Sequence, residues 1–223
     1  MASDPLTELR YTGFRRRLIE DIRAAGVSDL AILQLFDEVP RHLFLPAGVH
    51  PRAYEDAPLP IGFGQTASQP SLQAYYLQVL QVKSDEKVLE IGTGSGFLTA
   101  LLARAADRVY SVERVRELSI RARKALDALA LRNVALLVGD GSIGWRKYAP
   151  FHVMVVSAAS PEVPRALVDQ LADPGRLLIP VGSRDEQQLV LVRKEGGEVT
   201  EQAVRDACTF VPLLGRHGWD GEG

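Results

Sequence analysis

The chain has 223 residues, of which 46% are hydrophobic and 24% are charged, so it is long enough to bury one sizeable core. Its formal net charge of −2 and its pI near 6.1 give no overall attraction to nucleic acid or to an anionic membrane. We therefore expect neither as a partner, and the sequence contains no apolar run long enough to span a bilayer.

The cysteine and histidine content indicates neither a disulfide nor a metal site. Cys208 is the single cysteine, and it lies in an alternating run from Ala203 to Val211 that is typical of a packed side chain. No two histidines have the spacing that places two imidazoles on one metal: His42, His50, His152 and His217. The opening residues also lack the features of a secretory signal, so we expect a reducing, cytoplasmic environment.

The N-terminal region is predicted to form two short helices. Apolar residues recur at helical spacing from Leu6 to Phe36, with an interruption at Gly26-Val27-Ser28. Ser28 or Asp29 could cap the second helix.

The next segment, residues 39–70, changes character because prolines interrupt every helical pattern. A proline-rich stretch of this length within a compact chain is typical of a functional loop or of a disordered linker. Its aromatic and aliphatic residues argue against disorder. The sequence therefore predicts a functional loop here.

A helix predicted from Leu72 to Val82 is followed by short apolar runs that alternate with helical patterns. The runs are residues 87–91, 109–113, 134–138, 153–156 and 177–179. Such alternation predicts a mostly parallel sheet that is covered by helices on both faces. The last runs, Gln188 to Val192 and Val204 to Val211, have no long helix between them and predict an antiparallel pair. The expected fold class is α/β, doubly wound, with helices before the sheet and an antiparallel strand pair at its C-terminal end.

A glycine-rich turn follows the first of these strands directly. Residues 90–96 read Glu-Ile-Gly-Thr-Gly-Ser-Gly, and a helical pattern begins at once. This places the turn at the carboxyl end of the sheet, where ligands bind in doubly wound folds. Phe97 stands where the dinucleotide fingerprint needs its third glycine, which disfavours a nicotinamide cofactor.

The G-x-G-x-G spacing, with Glu90 two residues before it, resembles the motif of the class I, Rossmann-like methyltransferases that use S-adenosylmethionine. An acid there suits a cofactor that bears a sulfonium and an ammonium group. The resemblance implies that S-adenosylmethionine binds, that S-adenosylhomocysteine is the product, and that the following residues of the turn contact the cofactor: Glu90, Gly92, Thr93, Gly94, Ser95 and Gly96.

Two further acids complete the predicted cofactor site. Glu113 ends the next strand, roughly 20 residues beyond the turn, where a carboxylate can accept both ribose hydroxyls; we place Arg114 beside it in the same site. The family resemblance makes Asp140 the acceptor for the adenine amino group, with Gly141 leaving room for the ring. Taken alone, Gly139-Asp140-Gly141 is only a turn signal.

The proline-rich segment indicates the substrate class. Residues 39–44 and 53–70 closely resemble the substrate-side signature of the protein-L-isoaspartate O-methyltransferases, and the resemblance continues through the chain to about residue 219. It implies transfer of a methyl group to the α-carboxylate of isoaspartyl residues in damaged proteins, which begins repair through a succinimide. We expect one methyltransferase domain over residues 1–223, with a helical and substrate-loop region at 1–82 and the cofactor-binding core at 83–223.

Three positions depart from the family pattern. His152 replaces a common aspartate, Ser157 a common threonine, and Ala67 a common isoleucine. Ser157 keeps a hydroxyl and Ala67 only shortens a side chain. His152 is interpreted as a surface position before a strand that tolerates exchange.

Ser68 and Thr66 are the predicted catalytic residues. A carboxylate is ionised at neutral pH and needs no general base, so its position and solvation limit the reaction. Hydroxyls can hold it without the strong pairing of a lysine or an arginine, and in an extended segment these two face the same side. The alternative is that Ser68 or Ser71 merely caps the helix that begins near Pro70. The substrate peptide is expected to contact a further set of residues: Ile61, Gly62, Gly64, Gln65, Ala67, Val211 and Leu213.

Two rival functions stay open on the sequence. A class I methyltransferase with another substrate would share the glycine turn but not residues 64–70. A non-catalytic protein that binds S-adenosylmethionine or damaged proteins could be built on the same fold. We expect the chain to act as a monomer.

Overall fold

The structure, a computed structural model, describes residues 5–220. Its helices are α1 Pro5–Ala24, α2 Leu30–Glu38, α3 Pro70–Leu80, α4 Phe97–Ala105, α5 Arg116–Ala128 and α6 Arg165–Val168. Its strands are β1 Leu59–Gly62, β2 Gln65–Ala67, β3 Lys87–Ile91, β4 Arg108–Glu113, β5 Val134–Val138, β6 Phe151–Val156, β7 Leu171–Gly182, β8 Gln187–Glu195 and β9 Glu198–Cys208. Short 3-10 helices span Arg41–Phe44, Ala47–Arg52, Gly141–Ile143 and Arg146–Tyr148.

The main sheet has seven strands in the order β5-β4-β3-β6-β7-β8-β9. The pairs from β5 to β7 are parallel, and β8 and β9 add two antiparallel strands at one edge. The chain proceeds outward from β3 to β5 and then returns to β6 on the other side of β3. This reversal opens a crevice at the carboxyl ends of β3 and β6, which is where ligands bind in doubly wound sheets. The predicted fold class is confirmed.

The core lies on both faces of the sheet because side chains alternate along each strand. In β3, Val88 packs toward the N-terminal helices, with Ile22 and Phe36. Leu89 and Ile91 pack on the opposite face. The helices α1 to α5 pack on the first face. The opposite face is covered by the short helix α6, by residues around the 3-10 helix at Arg146–Tyr148 and by the C-terminal segment with Leu213.

The helix boundaries follow local capping chemistry. Asp29 caps α2 by accepting hydrogen bonds from the backbone amides of Ala31 and Ile32, which confirms one of the two predicted caps. Pro70 takes the first position of α3, where its missing amide hydrogen costs nothing. Among the described residues, no helix is long and apolar enough to cross a membrane.

Two strand predictions differ from the structure. The strand expected at Val204 to Val211 begins at Glu198 and ends at Cys208. Most of β9 is exposed, so the two-residue turn at Gly196-Gly197, and not burial, sets its register. The hairpin of β1 and β2, inside the segment predicted as a loop, was also not expected, since each strand is too short to produce a clear alternation.

Candidate functional site

An inner cavity lies at the carboxyl ends of β3, β4 and β6. Its walls comprise the glycine turn, the end of β4, the hairpin of β1 and β2, and a C-terminal segment: Ile61, Gln65, Thr66, Ala67, Ser68, Gln73, Ile91, Gly92, Thr93, Gly94, Ser95, Leu98, Val112, Glu113, Arg114, Gly141, Ser157, Ala158, Val211, Pro212, Leu213 and Leu214. Most of the predicted cofactor residues are thus brought together with the predicted catalytic residues. Gln73 and Leu98 were missed because their helices mark them as ordinary packing positions.

The glycine turn depends on backbone conformations that other residues rarely adopt. Gly92, Gly94 and Gly96 have φ angles of 92°, 52° and 86°, all in the left-handed region. A Cβ on Gly96 would lie 2.9 Å from the Cβ of Ala122, so this glycine lets α4 pack closely against α5. Gly92 and Gly94 line the cavity, where they leave the backbone open to a ligand.

Glu113 connects the turn to β4. Its carboxylate accepts hydrogen bonds from the backbone amides of Gly94, at 2.8 Å, and Val115, at 2.9 Å. Although only 5% exposed, it lines the inner cavity together with Arg114. An acid is therefore fixed at the point where the sequence predicts the ribose contact.

Glu90 lies behind the turn, and it is absent from the cavity wall. Its side chain is 0% exposed, and it accepts hydrogen bonds of 2.6 Å from the hydroxyls of Thr99 and Ser111. The Ser111 hydroxyl is also 2.5 Å from that of Thr93, which does line the cavity. Glu90 supports the turn from behind, through the hydroxyls of Ser111 and Thr93. Its predicted contact with the cofactor stays a prediction.

The protonation of Glu90 follows from this burial. Burial raises the pKa of Glu90 to about 8; the hydrogen bonds from Ser111 and Thr99 oppose the rise, and the nearby charge of Glu113 adds to it. The group is therefore mainly neutral at pH 7 in the folded chain.

Asp140 holds the C-terminal segment against the turn that follows β5. Its carboxylate accepts hydrogen bonds from the amide and hydroxyl of Ser142 and from the amide of Arg216. Burial acts to raise the pKa of Asp140, but these hydrogen bonds outweigh it and keep the pKa below its usual value. Asp140 is not among the residues that line the inner cavity, so its predicted contact with adenine stays a prediction.

Gly141 lines the inner cavity and also packs against β3. A Cβ at this position would lie 2.3 Å from the Cγ2 atom of Ile91. Glycine is needed here because the turn after β5 packs directly on the end of β3, and the predicted room for the adenine ring stays a prediction.

An outer cavity opens beside the inner one. It is lined by Pro58, Thr66, Ser68, Gln69, Leu72, Ser157, Arg205, Ala207, Cys208, Thr209, Phe210 and Val211. Four residues line both cavities: Thr66, Ser68, Ser157 and Val211. The two predicted catalytic hydroxyls thus lie where the cavities meet, and the hydroxyl of Ser157 is a third at the same junction.

A buried guanidinium fixes the segment that carries Ser68. Arg41 is 1% exposed, and it donates hydrogen bonds to the carbonyl oxygens of Ala53, Glu55, Ala57 and Ser68, at 3.0 to 3.4 Å. Burial lowers the pKa of Arg41 to about 10, so it stays charged at neutral pH. The sequence offered one signal for this role, which is an arginine inside an otherwise apolar run.

The helix-capping alternative for Ser68 and Ser71 is wrong. The capping position of α3 is Gln69, which makes no side-chain cap. Asp56 caps the helix instead, because its carboxylate accepts hydrogen bonds from the amide of Ser71 and the side chain of Gln69. Ser68 therefore does not cap α3, and it lines both cavities.

Two predicted substrate residues do not line either cavity. Gly62 and Gly64 have φ angles of 92° and 68° and form the tight turn between β1 and β2, with the half-exposed ring of Phe63 between them. They shape the hairpin that presents Gln65 to Ala67, and their predicted contact with the substrate stays a prediction.

His152 lies inside β6 and is half-buried, so its interpretation as a surface position before a strand was wrong. Its Nδ1 atom accepts a hydrogen bond of 3.0 Å from the amide of Lys87. This contact joins the amino ends of β6 and β3, which is the edge opposite to the cavities. Nothing in the structure explains why histidine replaces the common aspartate.

Comparisons with known proteins agree with this geometry. A family model described as protein-L-isoaspartate(D-aspartate) O-methyltransferase matches residues 14–218, which include both the hairpin and the glycine turn. Protein-L-isoaspartate O-methyltransferase 2 of Geotalea uraniireducens is 50% identical over 211 residues, or 93% of this chain and 96% of the relative. A protein-L-isoaspartate O-methyltransferase of Methanoculleus marisnigri is 46% identical over 209 residues, with 93% and 94% covered.

Two solved structures have the same architecture over most of the chain. One described as protein-L-isoaspartate O-methyltransferase has a TM-score of 0.81 at 30% identity, and the match covers 92% of this chain and 67% of that one. A Plasmodium falciparum structure, described as a beta-aspartate methyltransferase in complex with S-adenosyl-L-homocysteine, has a TM-score of 0.79 at 25% identity. That match covers 90% of this chain and 98% of the other.

Replacing Glu90 by glutamine will change how stability depends on pH. Because the pKa of Glu90 is about 8 in the folded chain and 4.5 is its ordinary value, folding takes up a proton between these limits. The wild-type free energy of unfolding therefore decreases as pH rises from about 5 to about 8, because the folded chain must then keep or lose a proton that the unfolded chain has already released. Glutamine mimics the neutral acid, so Glu90→Gln should gain stability relative to wild type over that window, on the order of a few kcal/mol.

Urea unfolding at pH 5, 6.5 and 8 measures this difference. The matched control is Glu162→Gln, which changes an exposed glutamate and should give a nearly constant difference from wild type. A Glu90→Gln difference that is equally constant with pH would contradict the argument.

Proposed function

This chain belongs to the protein-L-isoaspartate(D-aspartate) O-methyltransferase family, and we propose that it methylates isoaspartyl carboxylates where its two cavities meet. The methyl donor is S-adenosylmethionine. One observation carries the proposal: Thr66, Ser68 and Ser157 line both cavities, so an acceptor that enters from the outer cavity reaches the space beside the glycine turn.

The inner cavity fits the cofactor because its wall includes exposed backbone at two glycines and one fixed carboxylate. Gly92 and Gly94 expose the turn without a Cβ, and Glu113 provides a fixed carboxylate for ribose hydroxyls. Thr93, Ser95 and Arg114 supply further polar groups on the same wall. When bound, the cofactor supplies a methyl group made electrophilic by a sulfonium.

The chain needs no general base for this reaction, because the acceptor carboxylate, with an ordinary pKa near 4, is already ionised at neutral pH. The task of the residues is to orient one oxygen and to exclude water. The hydroxyl of Ser68 donates a hydrogen bond to the carboxylate, and the hydroxyl of Thr66, two residues earlier in the chain, assists it. Ser157 also lines the place where the two cavities meet. Hydroxyls suit this task, since a direct ion pair would stabilise the carboxylate and weaken it as a nucleophile.

The substrate backbone lies along the outer edge of β2. This strand pairs only with β1 in its two-stranded sheet, so Gln65 to Ala67 can pair with an extended peptide independently of its sequence. The segment from Val211 to Leu213 also lines the inner cavity. Its backbone is already paired with Ala159, since the carbonyl of Val211 accepts from the amide of Ala159 and the amide of Leu213 donates to the carbonyl of Ala159. We therefore expect this segment to contact the substrate mainly through its side chains. A repair enzyme for many damaged proteins requires such sequence-independent contacts.

Methylation begins a repair that then proceeds without the enzyme. The neighbouring backbone amide nitrogen attacks the ester carbonyl, and methanol leaves as the succinimide forms, because methoxide is a better leaving group than the oxide of a free carboxylate. Hydrolysis of the succinimide regenerates some normal aspartate. The chain's residues therefore have to perform only the methyl transfer.

We also propose that the chain forms one methyltransferase domain and works as a monomer in the cytoplasm, without nucleic acid as a partner. A single cysteine suits a reducing compartment. The net charge of −2 gives no general attraction to phosphate.

Two peptides that differ only by aspartate or isoaspartate test the proposed function. With labelled S-adenosylmethionine, the isoaspartyl peptide should accept the methyl group at a rate at least about 100-fold above the aspartyl peptide, because only its carboxylate can be oriented at Ser68. Equal labelling of the two, or cofactor binding without any labelling, would refute it.

Ser68→Ala should lower kcat for the isoaspartyl peptide by about 10- to 100-fold, since it removes one oriented donor. The midpoint of thermal unfolding should change by less than about 3 °C. Ser84→Ala, at an exposed turn serine outside both cavities, is the matched control and should behave as wild type. A folded Ser68→Ala variant with full turnover would remove Ser68 from the mechanism.

Arg41→Lys should lower both stability and turnover, because an ammonium group cannot reach all four carbonyl oxygens. We expect a loss of about 2–5 kcal/mol in the free energy of unfolding and a larger fall in kcat for the peptide than in cofactor affinity, measured below the unfolding transition. Arg52→Lys, in an exposed pair with Glu55, is the control and should cost at most about 1 kcal/mol. If Arg41→Lys and Arg52→Lys change the free energy of unfolding and kcat equally, Arg41 does not position the segment that carries Ser68.

A further inference from the structure

The wall of the outer cavity carries a single formal charge. Among its lining residues, all within the described chain, Arg205 is the only one of a charged type; the others carry hydroxyl, amide, thiol or apolar side chains. Arg205 does not line the inner cavity. A cation is therefore present along the route of a substrate peptide, but outside the compartment that holds the glycine turn.

The guanidinium of Arg205 is held in place by an aromatic ring. Its Cζ atom lies 5.5 Å from the centre of the Tyr75 ring. The hydroxyl of Tyr75 donates a 2.6 Å hydrogen bond to the carbonyl of Val204, which ties the ring to the same strand, β9. Stacking of this kind orients a guanidinium and leaves its edge free for hydrogen bonds.

No acid of the described chain neutralises Arg205. It takes part in none of the salt bridges, and the carboxylate of its neighbour Asp206 accepts instead from the side chain of Gln188, at 2.9 Å. An exposed arginine without a partner is common on surfaces. An unpaired one stacked on a tyrosine, as the only charge in a binding cavity, is a ready partner for an anion.

We propose that Arg205 selects isoaspartyl substrates that carry a second carboxylate, from an aspartate or glutamate side chain close to the damaged residue. This inference rests on the proposed function and names the preferred sequence context of its substrate. The second carboxylate pairs with Arg205 at the outer cavity while the acceptor carboxylate occupies the junction at Ser68. The acceptor itself does not pair with Arg205, because the guanidinium lies outside the inner cavity.

A set of isoaspartyl peptides tests the proposal directly. The parent peptide has glutamine at the three positions on each side of the isoaspartate, and each glutamine is replaced in turn by glutamate. For the wild-type chain, glutamate at one or more positions should raise kcat/KM by about two- to fivefold over the parent, the range of an exposed ion pair. The advantage should shrink toward one in 0.5 M NaCl, because salt screens exposed charges.

Variants then assign the preference to Arg205. Arg205→Gln should bring the ratio of kcat/KM between glutamate peptide and parent peptide to about one, and Arg205→Lys should keep part of the advantage because it keeps the charge. Arg193→Gln makes the same change on the neighbouring strand β8, outside both cavities, and should keep the full advantage.

Three results would overturn the proposal: no glutamate advantage at any position in the wild type, an advantage that survives in Arg205→Gln, or an equal loss of kcat/KM for all peptides in that variant. The last result would mean that Arg205 holds the acceptor carboxylate or the fold. A wild-type chain that methylates none of the isoaspartyl peptides would instead refute the proposed function itself.

Discussion

The geometry of the site depends on one buried cation. Arg41 is surrounded by carbonyl oxygens from Ala53, Glu55, Ala57 and Ser68, so a single guanidinium organises a segment that has few backbone hydrogen bonds of its own. A buried charge without partners would be very costly, and these four acceptors therefore stabilise each other's positions through it. The proline-rich segment is held in one shape because that shape places four carbonyl oxygens within hydrogen-bond distance of Arg41.

The sheet supplies the other half of the site. Parallel strands end at the same edge, and the reversal between β3 and β6 leaves the glycine turn open there. Arg41 brings Ser68 toward this edge from one side, and Asp140 holds the segment that begins at Val211 on another, through the amide of Arg216. The hydrogen bonds of these two side chains thus fix how far apart two walls of the inner cavity stand.

The sequence predicted those parts of the structure that depend on local patterns. The strand at residues 87–91, the Asp29 cap and the glycine turn each have a signature within a few residues. The features that the sequence did not predict depend on distant contacts. Nothing near Glu90 indicates that Thr99 and Ser111 will cover it, and nothing near Gly141 indicates that Ile91 will pack on it. The family resemblance placed Ser68 and Thr66 in the site, but only the tertiary structure showed that Asp56, and not Ser68, caps α3.

The distribution of charge around Ser68 suits an anionic nucleophile. A carboxylate that must attack a methyl group gains from being oriented and loses from being tightly paired. Arg41 is close to Ser68 along the backbone, yet its hydrogen bonds go to carbonyl oxygens, and Arg205 is confined to the outer cavity. The residues that line both cavities are Thr66, Ser68, Ser157 and Val211, and none of them carries a charge. The proposed position of the reacting oxygen is therefore lined by neutral side chains, while Arg114 lies on the cofactor side of the inner cavity and Arg205 in the outer cavity.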